Sequence, residues 1–232
     1  MKERPILFNA DMVRAVLDGR KTQTRRIIQS AAKNMQASGH KVIEYREPGD
    51  KWYGEHVFSM RNQSGTWCDY TKEQFLAKCP FGVVGDRLWV RESFYEHGHW
   101  QGGGYDPEDS YFVSAKQVLY PADGIQRPSE LKREYFCRSR PSIHMPRWAS
   151  RITLEITGVR VERLWDITED DAKAEGCTFE ALRFKPGTRE VEEMGHTAVY
   201  QFGGLWQSIY GEESWQANPW VWVVEFKRVE VE

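Results

Sequence analysis

The clearest alternation of apolar and polar positions lies at residues 152–161, which read ITLEITGVRV. Isoleucine and leucine recur there at every second position, with threonine and glutamate between them. Because successive side chains of a strand point to opposite faces, this pattern predicts a strand with one buried face. The same reasoning predicts a first strand near residues 5–8 and a last strand in WVWVVEFKRVEVE at 220–232.

Four other stretches carry helix signals. In each, either apolar residues recur at steps of three and four, or a capping residue precedes a polar first turn. The predicted helices begin at Asn9 or Asp11, at Thr71, at Asp166 or Thr168 and near Val199, and end at Gly19, before Pro80, at Gly176 and at Gly211.

Two polar stretches show no regular period. They read SAAKNMQASG at 30–39 and EHGHWQGGGYDPEDS at 96–110, and both are expected to form loops. Many strands with three or four short helices indicate an α+β fold, which we interpret as a small twisted β-barrel with insertions.

Composition narrows the classes of partner. The chain has 232 residues, 40% of them hydrophobic, and a formal net charge of −2. That content is sufficient for a core, but the balance of charge provides no overall attraction to a polyanion. A nucleic-acid site must therefore be a local cationic patch.

Nothing in the sequence indicates a metal, a cofactor or a membrane. The cysteines at 68, 79, 137 and 177 form no CxxC pair, and no histidines have zinc-finger spacing. The sequence shows no apolar run near the ~18 residues that span a bilayer and no charged-then-apolar leader. We expect a cytoplasmic protein without a cofactor.

The strongest local concentration of positive charge is GRKTQTRR at residues 19–26. If this stretch is extended, Lys21, Gln23 and Arg25 face one way and the intervening residues face the other. Crowded cations and partial burial lower the pKa of a lysine. Lys21 is therefore a candidate base, and the hydroxyl of Thr24 is a candidate nucleophile. An anion-binding patch and a solvated loop are the alternatives.

Two further features call for an explanation. Glu175 lies in the last turn of the predicted acidic helix, where the helix dipole disfavours a carboxylate unless a cation lies opposite. Arginines also alternate with tryptophans around residues 85–92 and 140–151, a composition that suits either RNA binding or surface ion pairs.

Taken together, these motifs resemble the ASCH family of the PUA-like superfamily, small β-barrels associated with RNA and modified nucleosides. The resemblance depends on the order of four segments, and the whole chain looks like the longer members found among phage and prophage proteins. The segments are GRKTQTRR at 19–26, GDRLWV at 85–90, RLWDITEDDAKAEG at 163–176 and VWVVEFKRV at 221–229.

The resemblance implies a fold and a reaction. Some ASCH proteins remove the acetyl group of N4-acetylcytidine with a lysine, a threonine and a glutamate, which correspond here to Lys21, Thr24 and Glu175. It also implies a single PUA-like domain over residues 1–232, with large loop insertions at about 29–80 and 93–150. The expected partner is RNA or a modified nucleoside, and the expected binding residues are Arg20, Thr22, Arg25, Arg26, Trp89, Arg91, Arg147 and Trp148.

The chain also departs from that family's pattern. Gln23 and Arg25 replace aliphatic residues of the motif, which favours a phosphorylated or polymeric ligand over a free nucleoside. A non-catalytic RNA-binding module and a ribonuclease therefore stay open, the latter with His97, His99 or His144 as acid or base.

Overall fold

The computed structural model describes residues 1–102, 110–125, 136–178, 183–184, 191–193 and 197–229. The chain is an α+β protein with mixed sheets. It divides into two compact units, the first formed by Met1–Arg20, Arg87–Glu155 and Arg228–Glu232 and the second by Lys21–Asp86 and Ile156–Lys227.

The helices and strands follow one another in short segments. In chain order the strands are β1 (Glu3–Leu7), β2 (Gln23–Ile27), β3 (Ile43–Tyr45), β4 (Phe58–Arg61), β5 (Trp67–Tyr70), β6 (Arg87–Arg91), β7 (Phe94–Gln101), β8 (Tyr111–Leu119), β9 (Phe136–Arg140), β10 (Thr153–Arg163), β11 (Arg183–Phe184), β12 (Val191–Glu193) and β13 (Trp220–Val229). The α-helices are α1 (Ala10–Leu17), α2 (Lys33–Ala37), α3 (Lys72–Leu76), α4 (Glu169–Ala174), α5 (Ala198–Tyr210) and α6 (Glu212–Gln216).

The first unit contains a parallel pair of strands, β1 and β6, and β6 also pairs antiparallel with the start of β10. Asn9 caps α1 by accepting a hydrogen bond from the Met12 amide at 2.8 Å. A second sheet in this unit has the strand order β8-β7-β9. Phe94 of β7 lies in a small buried cluster with Met145 and Ala149.

The second unit has the strand order β10-β13-β2 and a separate sheet ordered β3-β4-β5. Two apolar clusters stabilise it. Phe75 of α3 stacks between Phe58 of β4 and Trp222 of β13, with ring centroids 4.5 and 5.4 Å apart. The other cluster joins one face of β13 to α4 and α5, and its members include Val221, Val223, Ala172, Phe202 and Trp206.

The segments at about 29–80 and 93–150, which are expected to be insertions, contain helices and strands. The first contains α2, α3 and the β3-β4-β5 sheet, and the second contains the β8-β7-β9 sheet. The loop expected at 30–39 therefore contains the helix α2, and the loop expected at 96–110 contains the end of β7. The part of the predicted loop at 103–109 lies outside the described residues.

Gly98 explains why the strand β7 escapes detection from its sequence. The pairing of β7 with β8 shifts register between His97 and Gly98. A Cβ atom on Gly98 would collide with the Phe112 ring and the Val113 backbone. A glycine is therefore required inside this strand, although glycine is normally evidence against one.

None of the helices among the described residues combines the length and the apolar composition that a transmembrane segment requires.

Candidate functional site

The site lies in the second unit, where the chain from Lys21 to Ile27 is extended. Gln23 pairs with Glu225 of β13, and the Phe226 amide donates to the Thr22 carbonyl at 2.8 Å. On the opposite edge, the Thr22 amide donates to the carbonyl of Ala174 at the end of α4, also at 2.8 Å. The basic motif is therefore held between β13 and the C-terminal end of α4.

Helix α4 delivers Glu175 to this strand. Thr168 caps the helix through a capping box with Asp171, and the Glu175 amide donates to the Asp171 carbonyl at 2.8 Å. Gly176, with a positive φ of 95°, follows where the helix ends. Glu175 is the C-terminal cap residue, so its carboxylate lies beside the strand and not on the solvent face of the helix.

Lys21 and Glu175 form a buried ion pair. The Lys21 Nζ atom donates to Oε2 of Glu175 at 2.6 Å and to its backbone carbonyl at 2.9 Å. The two side chains are 0% and 2% exposed. Burial lowers the pKa of Lys21 from its ordinary value, because desolvation outweighs the opposing effect of Glu175. A lysine of this kind loses its proton more readily than one in water.

Arg25 extends this pair into a network. Its guanidinium contacts Glu175 at 3.5 Å, Glu162 of β10 at 3.1 Å and Asp171 of α4 at 3.2 Å. The Arg25 side chain is 0% exposed, and within the described residues its Nε atom has no hydrogen-bond partner. One buried guanidinium therefore links three carboxylates from two different elements.

Asp171 is the second junction of the network. Gln23 donates to its carboxylate at 3.1 Å and to its carbonyl at 2.9 Å, and Arg160 contacts it at 2.7 Å. Burial raises the pKa of Asp171, but hydrogen bonds from Thr168 and Gln23 and the charge of Arg25 outweigh it and bring the pKa to about 2. This carboxylate is ionised at any physiological pH.

Sequence reasoning missed Arg160, Glu162 and Asp171 as members of this network. Arg160 and Glu162 are two positions apart on β10, so they share one face of that strand. Charged residues at alternate positions of a strand are the signal that indicates this network. Arg160 also forms ion pairs with Glu162 itself and with Glu225 of β13.

Thr24 does not join the buried pair. Gln23 and Arg25 both contact α4, so strand alternation turns the intervening Thr24 to the other face of β2. There Thr24, 1% exposed, lies in register with Val224 of β13. The structure thus brings Lys21 and Glu175 together and leaves the Thr24 hydroxyl apart from them.

The other predicted binding residues of the motif, Arg20, Thr22 and Arg26, have separate surroundings. Arg20 is exposed and pairs with Asp18 at 3.0 Å. Thr22 is exposed, and Arg26 donates to the hydroxyl of Tyr210 at 3.4 Å. The motif is therefore not a single cationic patch.

The first unit contains the predicted tryptophan and arginine group. The guanidinium carbon of Arg91 lies 5.5 Å from the centre of the Trp89 ring, and that of Arg147 lies 6.0 Å from it. Arg147 also pairs with Glu3 at 3.1 Å, and Trp148 is 48% exposed. Trp89, Arg91, Arg147 and Trp148 are called the Trp89 surface below.

Among the described residues, the histidines considered for a ribonuclease, His97, His99 and His144, belong to no group of three or more metal-binding side chains. His97 and His99 are two positions apart on β7, and His144 is exposed in a short 3-10 helix. Within the described residues, no three histidine, cysteine, aspartate or glutamate side chains are placed to hold a metal ion.

Comparison of the chain with family models, curated proteins and solved structures found no match.

Proposed function

We propose that the chain is an ASCH-type module with a PUA-like small barrel, and that it binds a nucleoside or an RNA nucleotide beside Lys21 and Glu175. The reaction we favour is hydrolysis of the amide of an N4-acylated cytidine. The observation that supports it is the 2.6 Å contact between Lys21 and Glu175, two residues that the family resemblance pairs. Burial lowers the pKa of Lys21, which favours release of its proton, as a proton carrier requires.

The reaction needs one group that carries a proton and a second group that stabilises the positive charge of the protonated carrier. A water molecule attacks the acyl carbon and gives a proton to neutral Lys21, while the C–N bond breaks and N4 of cytidine takes that proton. The products are cytidine and a carboxylic acid. Glu175 stabilises the ammonium form of Lys21 between the two transfers. We assign the attack to water because the Thr24 side chain points from the other face of β2.

Access to the pair is restricted. Lys21, Thr24 and Glu175 are 2%, 1% and 3% exposed, so a substrate reaches them only through a local opening of the second unit. Exclusion of bulk water from the closed site strengthens the electrostatic contacts with the bound substrate.

The test is to incubate the protein with N4-acetylcytidine and to follow the release of cytidine by liquid chromatography. Lys21→Met and Glu175→Gln should each lower kcat by about 10²-fold or more. Lys173→Met is the matched control, since Lys173 is exposed on the same helix as the Asp171 junction. Absence of turnover by the folded wild type, or full turnover by Lys21→Met, rejects the proposal.

A variant at Thr24 separates two versions of the mechanism. Thr24→Val removes the hydroxyl but retains the shape of the side chain. If water is the nucleophile, this variant keeps most of the turnover. Complete loss in Thr24→Val with retention in Thr24→Ser would instead assign the attack to the Thr24 hydroxyl.

The Trp89 surface supports a second candidate function, the binding of single-stranded RNA by the first unit. Arginines flank a tryptophan ring there, and Trp148 offers an exposed ring for base stacking. Binding to an oligouridine should weaken with salt, with a log–log slope of about −0.7 per phosphate contacted. Arg147→Gln and Trp148→Ser should weaken it, and salt-independent or absent binding rejects it.

A further inference from the structure

The second unit contains a cavity of about 750 Å³ apart from the buried pair of Lys21 and Glu175. Its walls come from the end of β3, the start of β4, the start of α3, the end of β10 and the start of β13. This volume is in the range of small-molecule sites, about 300–1,000 Å³. Most of its lining belongs to the segment 29–80, which the family resemblance treats as an insertion.

One wall of the cavity is aromatic. Tyr45, Phe58 and Trp220 line it, with ring centroids 5.2 to 6.1 Å apart. Phe58 is 4% exposed and is stacked on Phe75, so the wall is supported from behind. Tyr45 is 41% exposed and offers its ring to a ligand. Such a wall favours a flat or apolar ligand body.

The charged side chains around this wall are mostly negative. Lys72 is the only cation among the residues that line the cavity, against the carboxylates of Glu55, Glu73, Glu162 and Asp166. Within the described residues, neither Glu55 nor Glu73 forms an ion pair. Hydrogen bonds from its own backbone amide and from Thr71 lower the pKa of Glu73, so it is ionised at neutral pH.

The other two carboxylates already have partners. Glu162 pairs with Arg25 and Arg160, and Asp166 accepts a hydrogen bond from the Arg163 amide at 3.1 Å. Two arginines therefore compensate Glu162, whereas the charges of Glu55, Glu73 and Asp166 stay available to a ligand. Trp220 also shows that a ring of this wall accepts a cation, because the guanidinium carbon of Arg163 lies 4.7 Å from its centre.

We propose that this cavity binds a small organic cation with a flat body, such as an amidinium or an aromatic ammonium compound. The aromatic wall contacts the flat body, and Glu55 and Glu73 attract the positive charge. The same carboxylates repel phosphates, so the cavity discriminates against a nucleotide. The proposal does not depend on the reaction at Lys21.

Three ring compounds of nearly equal shape test whether the cavity prefers a positively charged ligand. Benzamidinium is a cation, benzamide is neutral and benzoate is an anion. Each is titrated into the ¹⁵N-labelled full chain, and the indole signal of Trp220 is followed by NMR after assignment with Trp220→Phe. Benzamidinium should bind roughly tenfold more tightly than benzamide, and benzoate should not bind. Added salt should weaken the binding of benzamidinium.

Variants of the lining residues test whether the carboxylates and the aromatic wall contribute to binding. Glu55→Gln and Glu73→Gln should each weaken benzamidinium binding about two- to fivefold, and Tyr45→Ser should also weaken it. Glu213→Gln is the matched control, because Glu213 is exposed on α6 and does not line the cavity. Equal binding of benzamide, unchanged binding by all three cavity variants, or no binding to the folded wild type at the solubility limit overturns the proposal.

Discussion

Lys21 and Glu175 are 154 positions apart in the sequence, and their side chains meet at an N–O distance of 2.6 Å with almost no exposure to water. The contact joins the start of β2 to the end of α4, so it links two segments of the second unit that folding must bring together. A buried pair costs desolvation when it forms, but removal of one partner leaves a buried charge without its nearest compensating charge.

Lys21→Met should therefore lower the free energy of unfolding by about 3–5 kcal/mol. Among the described residues, the remaining Glu175 carboxylate keeps the 3.5 Å contact with Arg25. The double variant Lys21→Met/Glu175→Gln should be less destabilised than the sum of the two single variants, by about 1–3 kcal/mol. Urea unfolding at pH 7 measures all four proteins.

The pair of Lys41 and Glu44 provides the matched control. Its N–O distance is also 2.6 Å, but its side chains are 62% and 33% exposed. The same cycle with Lys41→Met and Glu44→Gln should give a coupling energy below about 0.5 kcal/mol. Equal coupling energies for the two pairs would show that burial does not set the strength of the Lys21 contact.

Arg25 should tolerate no replacement without a large loss of stability. Arg25→Met removes the guanidinium that contacts Glu162, Asp171 and Glu175, and should cost at least about 3 kcal/mol. Arg25→Lys keeps the positive charge but not the planar guanidinium, so it should lower the free energy of unfolding by less than Arg25→Met does. Thermal unfolding of both variants measures this order.

Arg20→Met is the control for these variants, since Arg20 is in the same motif but is exposed and pairs with Asp18 at the surface. Arg20→Met should change the free energy of unfolding by no more than about 0.5 kcal/mol. An Arg25→Met protein as stable as Arg20→Met would contradict a structural role for the buried guanidinium.

Much of this network follows from patterns in the sequence. Alternation predicts β10 and, if residues 20–26 are extended, the two faces of that stretch, and the contacts of Gln23 and Arg25 with α4 agree with those faces. Arg160 and Glu162 escaped prediction because charged side chains in a strand normally face water. Only the fold shows that Arg25 lies opposite them.

Other elements could not be found from a local pattern. Helix α2 has five residues and no buried side chain, so its sequence lacks an apolar period. The strand β7 contains Gly98, which is required by a close neighbour from β8. Such elements depend on tertiary contacts, which override local propensity.

The segment 29–80 should contribute to the core of the second unit. Phe75 is 0% exposed between Phe58 and Trp222, so Phe75→Ala leaves a cavity that the neighbouring rings cannot fill. The expected loss is about 3–5 kcal/mol, and Phe75→Leu should lose less. A loss below 1 kcal/mol for Phe75→Ala, measured by urea unfolding, would mean that the segment is not part of this core.

Asp171 should make the second unit sensitive to acid. Its pKa in the folded chain is about 2, below the ordinary value of 3.8, so its contribution to stability is present above pH 4 and disappears as the pH falls towards 2. The contribution is about 2 kcal/mol. The stability difference between wild type and Asp171→Asn should shrink by that amount between pH 4 and pH 2.

Asp170→Asn is the matched control for that measurement. Asp170 is 94% exposed on the same helix, and its ion pair with Lys173 is at the surface. Its acid unfolding curve should follow that of the wild type. A constant difference between wild type and Asp171→Asn across this range would contradict the assigned pKa.

Glu92 in the first unit should show the opposite dependence on pH. Burial raises the pKa of Glu92 from 4.5, even though Arg151 donates to it at 2.9 and 3.1 Å. The folded chain thus holds this proton more tightly than the unfolded chain, and stability is lost as the pH rises from 4.5 through the raised pKa. Glu92→Gln lacks this titration and keeps Arg151 paired with Asp123. The stability of wild type relative to Glu92→Gln, measured by urea unfolding, should fall from pH 4 to pH 7, and a rise would contradict the raised pKa.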